Sequence, residues 1–412
     1  MYRPDSIFEF SLNHFIKFGA GACAELGYEV RKFGGSKALI VTDKGVVGAG
    51  ILQSILQPLE QEGFSYAVFD GVIPEPTDHT FTECLSFARQ GSYDIIIGVG
   101  GGSSIDVAKT VGILLKFGGE LLDYVAPPTG QGKPIPGMGI PVIACPTTAG
   151  TGAEVSPAAV ISFKELKLKA GISSPYQRPI LSLVDPCLCV SMPPKVTATT
   201  GMDALCHAIE SYVTRQYDRK AMPDAPAKRP VYGGCNPLSD AIALQAIELV
   251  SSHLRRACDN GEDLEARWGM SLGSLMAGIA FTNSGLGLVH AIALSLGGKY
   301  PISHGETVAI LLPTVMEFNA PSNFAKFEEI ARVMGEDTEG LSRGDAAMLA
   351  VQAVKRLAAD IGIPSSLKAV GVAEKDLPLI AEDALKVQRL LVGNPRRVST
   401  AAQVESVLRR IY

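Results

Sequence analysis

The chain has 412 residues, of which 47% are hydrophobic and 19% charged, and a formal net charge of -5. That composition excludes a disordered chain, and a negative balance gives no general attraction to phosphate backbones, so nucleic acid is not an expected partner. The length is more than one hydrophobic core usually serves, which favours two domains.

At the N-terminus, MYRPDSIFEFSLNHFIKFG has charges interrupting every apolar run and so contains no signal-peptide core. Nowhere do eighteen apolar residues run together, which leaves no candidate membrane span. The eight cysteines (Cys23, Cys84, Cys145, Cys187, Cys189, Cys206, Cys235, Cys258) are scattered rather than dense. Reduced thiols in a cytoplasm are the expected state, and Cys187-x-Cys189 has no second pair at finger spacing to make a metal site.

From residue 1 to 190, short buried runs alternate with helical patterns. Ala38-Leu39-Ile40-Val41, Tyr66-Ala67-Val68-Phe69, Asp94 to Val99 and Pro141-Val142-Ile143-Ala144 read as strands. Val46 to Glu62 and Thr80 to Gln90 carry apolar residues at helical spacing. The alternation predicts an α/β domain built on a mostly parallel, doubly wound sheet, whose ligands collect at the carboxyl ends of the strands.

Three features fall at those ends. Asp43 closes the first clear strand, where a carboxylate suits a ribose 2′-hydroxyl and repels a 2′-phosphate, favouring NAD over NADP; a solvated turn aspartate fits the position equally well. Gly98 to Lys109, GVGGGSSIDVAK, follows the strongest strand and opens a helix. Ser103 stands where a G-x-G-x-x-G fingerprint needs its third glycine, so the motif is not that one. Its glycines nevertheless let backbone approach a pyrophosphate at a helix N-terminus, against the alternative of a tight turn without a ligand. Pro146 to Ser156, PTTAGTGAEVS, offers the hydroxyls of Thr147, Thr148 and Thr151 after another buried strand, a composition that suits a binding loop.

From residue 191 to 412, helical patterns dominate: Val196 to Arg215, Leu238 to Ala257, Leu264 to Ala280, Glu306 to Glu317, Ala325 to Met334, Asp345 to Ile361, Leu377 to Val387 and Thr400 to Ile411. Thr400 with Gln403 forms a capping-box signature. An all-α C-terminal domain is expected, interrupted by a Pro-, Gly- and charge-rich surface loop over Gln216 to Pro237.

Within this half, GMDALCHAIESY places Asp203 and His207 one turn apart on one helix face. His290 and His304 lie in GLGLVHAIALSLGGKYPISHG. One carboxylate and three imidazoles suit a single divalent cation such as iron or zinc, although each histidine singly would also serve as a satisfied core residue.

Taken together, GGGSSIDVAK, PTTAGTGAEVS, GMDALCHAIESY and GLGLVHAIALSLGGKYPISHG resemble the iron-containing, or group III, alcohol dehydrogenase family, and the likeness runs from IKFGAGA at Ile16 to the NPR segment at Asn394. The resemblance implies a dinucleotide-binding domain over 1–190, a helical metal-binding domain over 191–412, and a metal and nicotinamide in the cleft between them. It places the metal ligands on Asp203, His207, His290 and His304, the pyrophosphate loop on Gly101, Gly102 and Ser103, the second cofactor loop on Thr147, Thr148 and Thr151, the NAD-selecting acid on Asp43, a nicotinamide-side lysine on Lys169, and the pocket lining on Phe281 and Leu286. Iron, with zinc as the alternative, and NAD are the implied cofactors, a small alcohol or aldehyde the substrate, and a dimer or larger homo-oligomer the assembly. Two departures stand out. Leu294 occupies the position where many members carry a further histidine suspected of proton transfer. The Gln216 to Pro237 insertion ends in RPVYGGCNPLSD, similar to the hydroxyacid-oxoacid transhydrogenase branch, which makes that reaction the second reading. A lyase of the dehydroquinate synthase type would need a basic cluster for a phosphorylated substrate, and a catalytically silent member would not need complete ligands.

Overall fold

The computed structural model describes every residue except Met1, Pro4, Lys167, Ala221 and Met222. Two compact units emerge: Leu12–Met192 with Gly261–Ser271, and Met1–Ser11 with Pro193–Asn260 and Leu272–Tyr412.

The first unit is built on strands β1 (Phe15–Phe18), β2 (Lys37–Asp43), β3 (Ser65–Val72), β4 (Ile95–Gly100), β5 (Val142–Pro146), β6 (Ala158–Phe163), β7 (Leu168–Ser173) and β8 (Leu181–Val184). Six of them form one sheet in the order β1-β8-β5-β4-β2-β3, and every pairing in it is parallel. β4 and β5 are buried along their whole lengths, which is why Ile95-Ile96-Ile97 is apolar at every position: both faces are covered. The period of two sends Ile95, Ile97 and Val99 into one core with Leu26, Val30, Ile55 and Leu59. Ile96 goes into the other, with Phe81, Leu85, Val107 and Val111.

The covering helices are α1 (Leu26–Lys32), α2 (Lys44–Gly48), α3 (Gln53–Gln61), α4 (Asp78–Ala88), α5 (Gly102–Phe117) and α6 (Leu121–Tyr124). The single helix expected over 46–62 is two, α2 and α3, separated at Gly50 with φ +74°. β1 and β8 escape sequence reading because four residues are too short to show a period, and β6–β7, an antiparallel hairpin outside the main sheet, carries polar residues that break its pattern. From β2 the chain moves outward to β3, then crosses back to β4 and on to β5. The order therefore reverses between β2 and β4, the place where sheets of this kind bind ligands.

Lys109 on α5 is buried. Its ammonium donates to the carbonyls of Ala153 (3.1 Å), Ser156 (3.3 Å) and Ala158 (2.6 Å) and pairs with Asp106 at 2.8 Å. The Asp106 carboxylate in turn accepts the Val160 N–H at 2.9 Å. One cation thus ties the glycine-motif helix to the loop after β5.

The second unit is helical: α7 (Pro194–Val213), α8 (Pro237–Asp259), α9 (Leu264–Ser284, from Leu272 onward), α10 (Leu288–Gly297), α11 (His304–Asn319), α12 (Phe324–Val333), α13 (Arg343–Asp360), α14 (Leu377–Lys386), α15 (Gln388–Leu391) and α16 (Ala401–Arg409). α7 packs on α8 and α11, and α10 on α11 and α14. Every residue of α7 from Gly201 to Val213 is buried, so polar side chains on it lie in the interior. The Thr400–Gln403 capping box is present. α10 is a helix that the expected set omits, because a nearly all-apolar run shows no amphipathic stripe.

The segment 216–237 departs from a plain surface loop. Ala221 and Met222 lie outside the described residues, but Asp218, Cys235 and Asn236 are buried, Gln216 and Cys235 form a parallel bridge, and Tyr217 stacks on Tyr2 at 5.5 Å. Its polar composition reflects interior contacts at both ends: Asp218 Oδ2 accepts the Arg3 N–H at 2.6 Å, and Asn236 Oδ1 accepts the Leu238 and Ser239 N–H groups at 3.1 Å. No single helix among the described residues is long and apolar enough to cross a membrane.

Replacing Lys109 with Met leaves Asp106 and three carbonyls without their cation. Urea denaturation is expected to show a loss of about 3 kcal/mol, part of which returns when Asp106→Leu is added; a loss below about 0.5 kcal/mol counts against the pair as a structural tie.

Candidate functional site

α7 carries three polar residues at i, i+4 and i+7, namely Asp203, His207 and Glu210, which a helix sets on one face. His290 lies in the first turn of α10 and His304 opens α11 after its N-cap Ser303. The Nε2 atoms of His207, His290 and His304 stand 3.7, 3.7 and 3.8 Å from one oxygen, Asp203 Oδ1. Ligands about 2.1 Å from a tetrahedral cation are separated by about 3.4 Å; the donor atoms of Asp203, His207 and His290 all lie within 4.8 Å of one another, which one ion spans with a contraction, and His304 approaches the same Asp203 oxygen without joining that mutual group. Asp203 Oδ1 and His290 Nε2 are buried and make no hydrogen bond, which is costly for polar atoms in the interior. A divalent cation satisfies both, and the donor set of one carboxylate and three imidazoles fits iron or zinc. The side chains of Asp203, His207 and His290 are no more than 6% exposed, whereas His304 is 29% exposed, so the centre is open on the His304 side.

Behind these donors lies a second layer. Glu210 Oε2 accepts the Nδ1–H of His290 at 2.7 Å, which leaves the Nε2 lone pair facing Asp203. Glu210 Oε1 accepts the Val289 N–H at 2.8 Å, and Asn394 Oδ1 accepts the Leu288 N–H at 3.1 Å. These two side chains cap α10 from outside, because its N-cap is Gly287. A Cβ at Gly287 would come 2.7 Å from Asn394 Oδ1 and 3.0 Å from Glu210 Oε1, so only glycine admits the arrangement. Asn394 is fixed by Asn319 (2.8 Å) and the Arg396 carbonyl (2.7 Å). The Phe281 ring stacks on His207 at 4.4 Å, and His207 on His290 at 4.7 Å.

The electrostatics follow from burial and pairing. Burial pushes the Asp203 carboxyl up, but the imidazoles of His207, His290 and His304 outweigh it and hold it down at about 2. Burial likewise opposes charge on His290, yet the Asp203 carboxylate beside it and the hydrogen-bonded Glu210 carboxylate raise it to about 9. Without a cation, then, His290 takes a proton that metal must displace.

In the sheet unit, the residues expected to bind a dinucleotide, apart from Lys169, meet at the carboxyl ends of β2, β4 and β5. Gly100 has φ +145°, and a Cβ there would lie 2.5 Å from Ser104 Oγ, so the turn requires glycine. The N-cap of α5 is Gly101, which supplies no side-chain cap and leaves the N–H groups of Gly102 and Ser103 open to an anion. The loop after β5 lies alongside: the Thr147 N–H donates to the Gly100 carbonyl at 3.0 Å, Thr148 flanks Gly101, and Thr151 flanks Gly102. Asp43 sits next to them. Its Oδ1 caps α2 by accepting the N–H groups of Gly45 (2.8 Å) and Val46 (3.0 Å), and its Oδ2 accepts from Ser104 Oγ at 3.4 Å. Lys169 is on β7 and pairs with Glu75. In the helical unit, Phe281 and Leu286 are buried and Leu294 is half-buried.

Sequence reading misses Glu210, Asn394 and Lys109. Glu210 carries a signal, since it continues the Asp203–His207 face by one more turn; the other two act from elements remote in sequence.

Residues 13–186 match the family described as iron-containing alcohol dehydrogenase, and residues 231–412 match the C-terminal domain of the Fe-containing alcohol dehydrogenase family. The chain belongs to the iron-containing alcohol dehydrogenase family. It is 40% identical to the 1,3-propanediol dehydrogenase of Citrobacter freundii over 98% of this chain and 99% of that one. It is 35% identical to the mitochondrial hydroxyacid-oxoacid transhydrogenase of Bos taurus over 95% of this chain and 87% of that one. The crystal structure of a 1,3-propanediol oxidoreductase superposes with a TM-score of 0.90 at 39% identity, covering 99% of this chain and 100% of that one. The enzyme is an NAD-linked, metal-dependent alcohol oxidoreductase.

Two measurements test this geometry. Glu210→Gln keeps the shape but weakens its hold on the His290 N–H, and zinc affinity measured by chelator competition is expected to fall roughly 10- to 100-fold; unchanged affinity removes Glu210 from the centre. In the loop after β5, burial pushes the Glu154 carboxyl up to about 7 from its ordinary 4.5, with its own backbone N–H and Lys109 only partly offsetting this. The fold favours the neutral form, so the contribution is fully present below pH 4.5 and is lost as pH rises through about 7, on the order of 3 kcal/mol. The urea stability of the parent relative to Glu154→Gln is expected to decline across that window, and a difference independent of pH refutes the assignment.

Proposed function

We propose that the enzyme interconverts small primary alcohols or polyols and their aldehydes using NAD(H), with Asp203, His207, His290 and His304 holding one divalent cation and the loops at Gly101–Ser103 and Thr147–Thr151 holding the dinucleotide. The observation that carries this reading is the convergence of three imidazole nitrogens on the unpartnered Asp203 Oδ1. When bound, the cation supplies a Lewis acid for a hydroxyl or carbonyl oxygen, and the nicotinamide supplies the hydride acceptor or donor.

The chain's own residues do the rest. Glu210 orients His290 and sets its tautomer, and the Phe281 ring restrains His207. Phe281 and Leu286 give the site an apolar lining that excludes water. The open helix N-terminus at Gly102 and Ser103 takes the pyrophosphate. Asp43 Oδ2, which already accepts from the Ser104 hydroxyl at 3.4 Å, has a further lone pair for a ribose hydroxyl and disfavours a 2′-phosphate. Lys169 contributes on the nicotinamide side from β7. Leu294 holds no proton, so proton exchange with solvent runs through water or the cofactor's hydroxyls. Residues 1–190 accordingly serve the dinucleotide and residues 191–412 the metal. The eight free thiols accord with a cytoplasmic setting, and family membership supports a homo-oligomer.

The test is NADH formation across alcohols, polyols and hydroxyacids on iron- or zinc-reconstituted protein. Turnover of a short diol or primary alcohol is expected, and His290→Ala is expected to lose bound metal and turnover together. Retention of full activity by metal-free His290→Ala sinks the assignment. Exchange between a hydroxyacid and an oxoacid without added NAD(H) moves the enzyme to the transhydrogenase reaction instead.

A further inference from the structure

A cavity of about 440 Å3 in the helical unit is lined by Arg215, Arg397, Ser399, Leu391, Val392 and Val398, among others. Its size is that of a small-molecule site. Arg215 lies just beyond the end of α7, and its N–H donates to the Gly393 carbonyl at 2.8 Å. The other lining residues come from the end of α15 and the segment leading into α16. No acid lines the cavity. From Ala384 to Val404 the sequence has no Asp or Glu but holds Lys386, Arg389, Arg396 and Arg397.

Two of the neighbouring cations are accounted for. Lys386 pairs with Asp383 at 2.7 Å, and Arg396 donates to the Phe318 carbonyl at 2.9 Å. Among the described residues, the guanidinium groups of Arg215 and Arg397 have no hydrogen bond or ion pair. Burial holds the nearby Lys220 amine down at about 8, with Cys235 opposing the shift and the Arg215 charge adding to it. A helix C-terminus accounts for an arginine at 215, but not for a second one facing the same concavity from a different element.

We propose that this cavity binds a small organic anion, its carboxylate or phosphate taken by Arg215 and Arg397 and its apolar portion lying against Leu391, Val392 and Val398. Guanidinium groups match the planar oxygens of both anions, and the Ser399 hydroxyl offers a further donor. The site shares the Gly393–Asn394 turn with the residues that cap α10, so its occupant rests on the segment that fixes the Glu210–His290 pair.

Isothermal titration of the zinc-loaded enzyme with hexanoate, hexanamide and inorganic phosphate tests the proposal. Saturable binding of hexanoate or phosphate is expected, with hexanamide failing to compete, and the preferred probe separates a carboxylate ligand from a phosphate ester. Arg215→Gln and Arg397→Gln are each expected to weaken that binding roughly tenfold or more. Val392→Glu, which adds a carboxylate at the exposed rim, is expected to do the same without removing either arginine and covers the case in which one variant misfolds. Absence of saturable binding by both anions below about 10 mM, or binding that all three variants leave unchanged, overturns the proposal. Binding at the metal centre falls in the latter class, because it is blind to these substitutions.

Discussion

Everything in the helical unit is arranged around one buried carboxylate oxygen with three imidazole nitrogens facing it and nothing hydrogen-bonded to it. A negative charge in that position is tolerable only with compensation, and the compensation comes from α7, α10 and α11 together. α7 can carry the acid and the first imidazole because it is enclosed over its last three turns. α10 can deliver the next only because Glu210 and Asn394 substitute for the cap that Gly287 lacks. Behind the Asp203 oxygen, hydrogen bonds run from His290 to Glu210 and, through the first N–H groups of α10, on to Asn394 and Asn319, and removing Glu210 or Asn394 leaves one of those N–H groups unsatisfied.

The sheet unit solves a different problem, that of presenting backbone rather than side chains. At the reversal between β2 and β4, the glycine turn leaves the first N–H groups of α5 open, while Thr147, Thr148 and Thr151 close over the same turn from β5. Lys109 makes this possible at a distance from any ligand. Its ammonium gathers two carbonyls of the next loop and that of Ala158 at the start of β6, and so converts two separate strand-end turns into one surface. The Asp and Lys of GGGSSIDVAK thus read as a structural clamp, in contrast to the glycines before them.

Much of this was legible in the sequence, and the limits are physical. The long amphipathic helices and the Ile95–Ile97 strand show their periods directly. The Asp203–His207 pair is legible because a helix fixes the geometry of residues four apart, and the same rule reaches Glu210. Asn394 is invisible to such reasoning, since its role depends on α10 and α15 meeting in space. β1 and β8 are four residues each and owe their existence to pairing rather than to propensity. α10 is hidden by its own success as a core element, because a helix buried all round has no stripe. In the 216–237 segment, polarity suggested solvent, whereas Asp218 and Asn236 are buried with partners.

The register of β1 on β8, with Phe15 opposite Leu181, sets an order of events during synthesis. Within this sheet β1 comes earliest in the chain, and among the described residues its one paired neighbour is β8, the latest. Until that neighbour emerges, Phe15 and Ile16 belong to an unpaired edge with exposed apolar side chains, the kind of surface that recruits other chains. Closing a loop of this length between parallel partners is also intrinsically slow. The nascent chain therefore carries this edge until its sheet is nearly complete, and a chaperone that shields the segment around Phe15 acts on the vulnerable step.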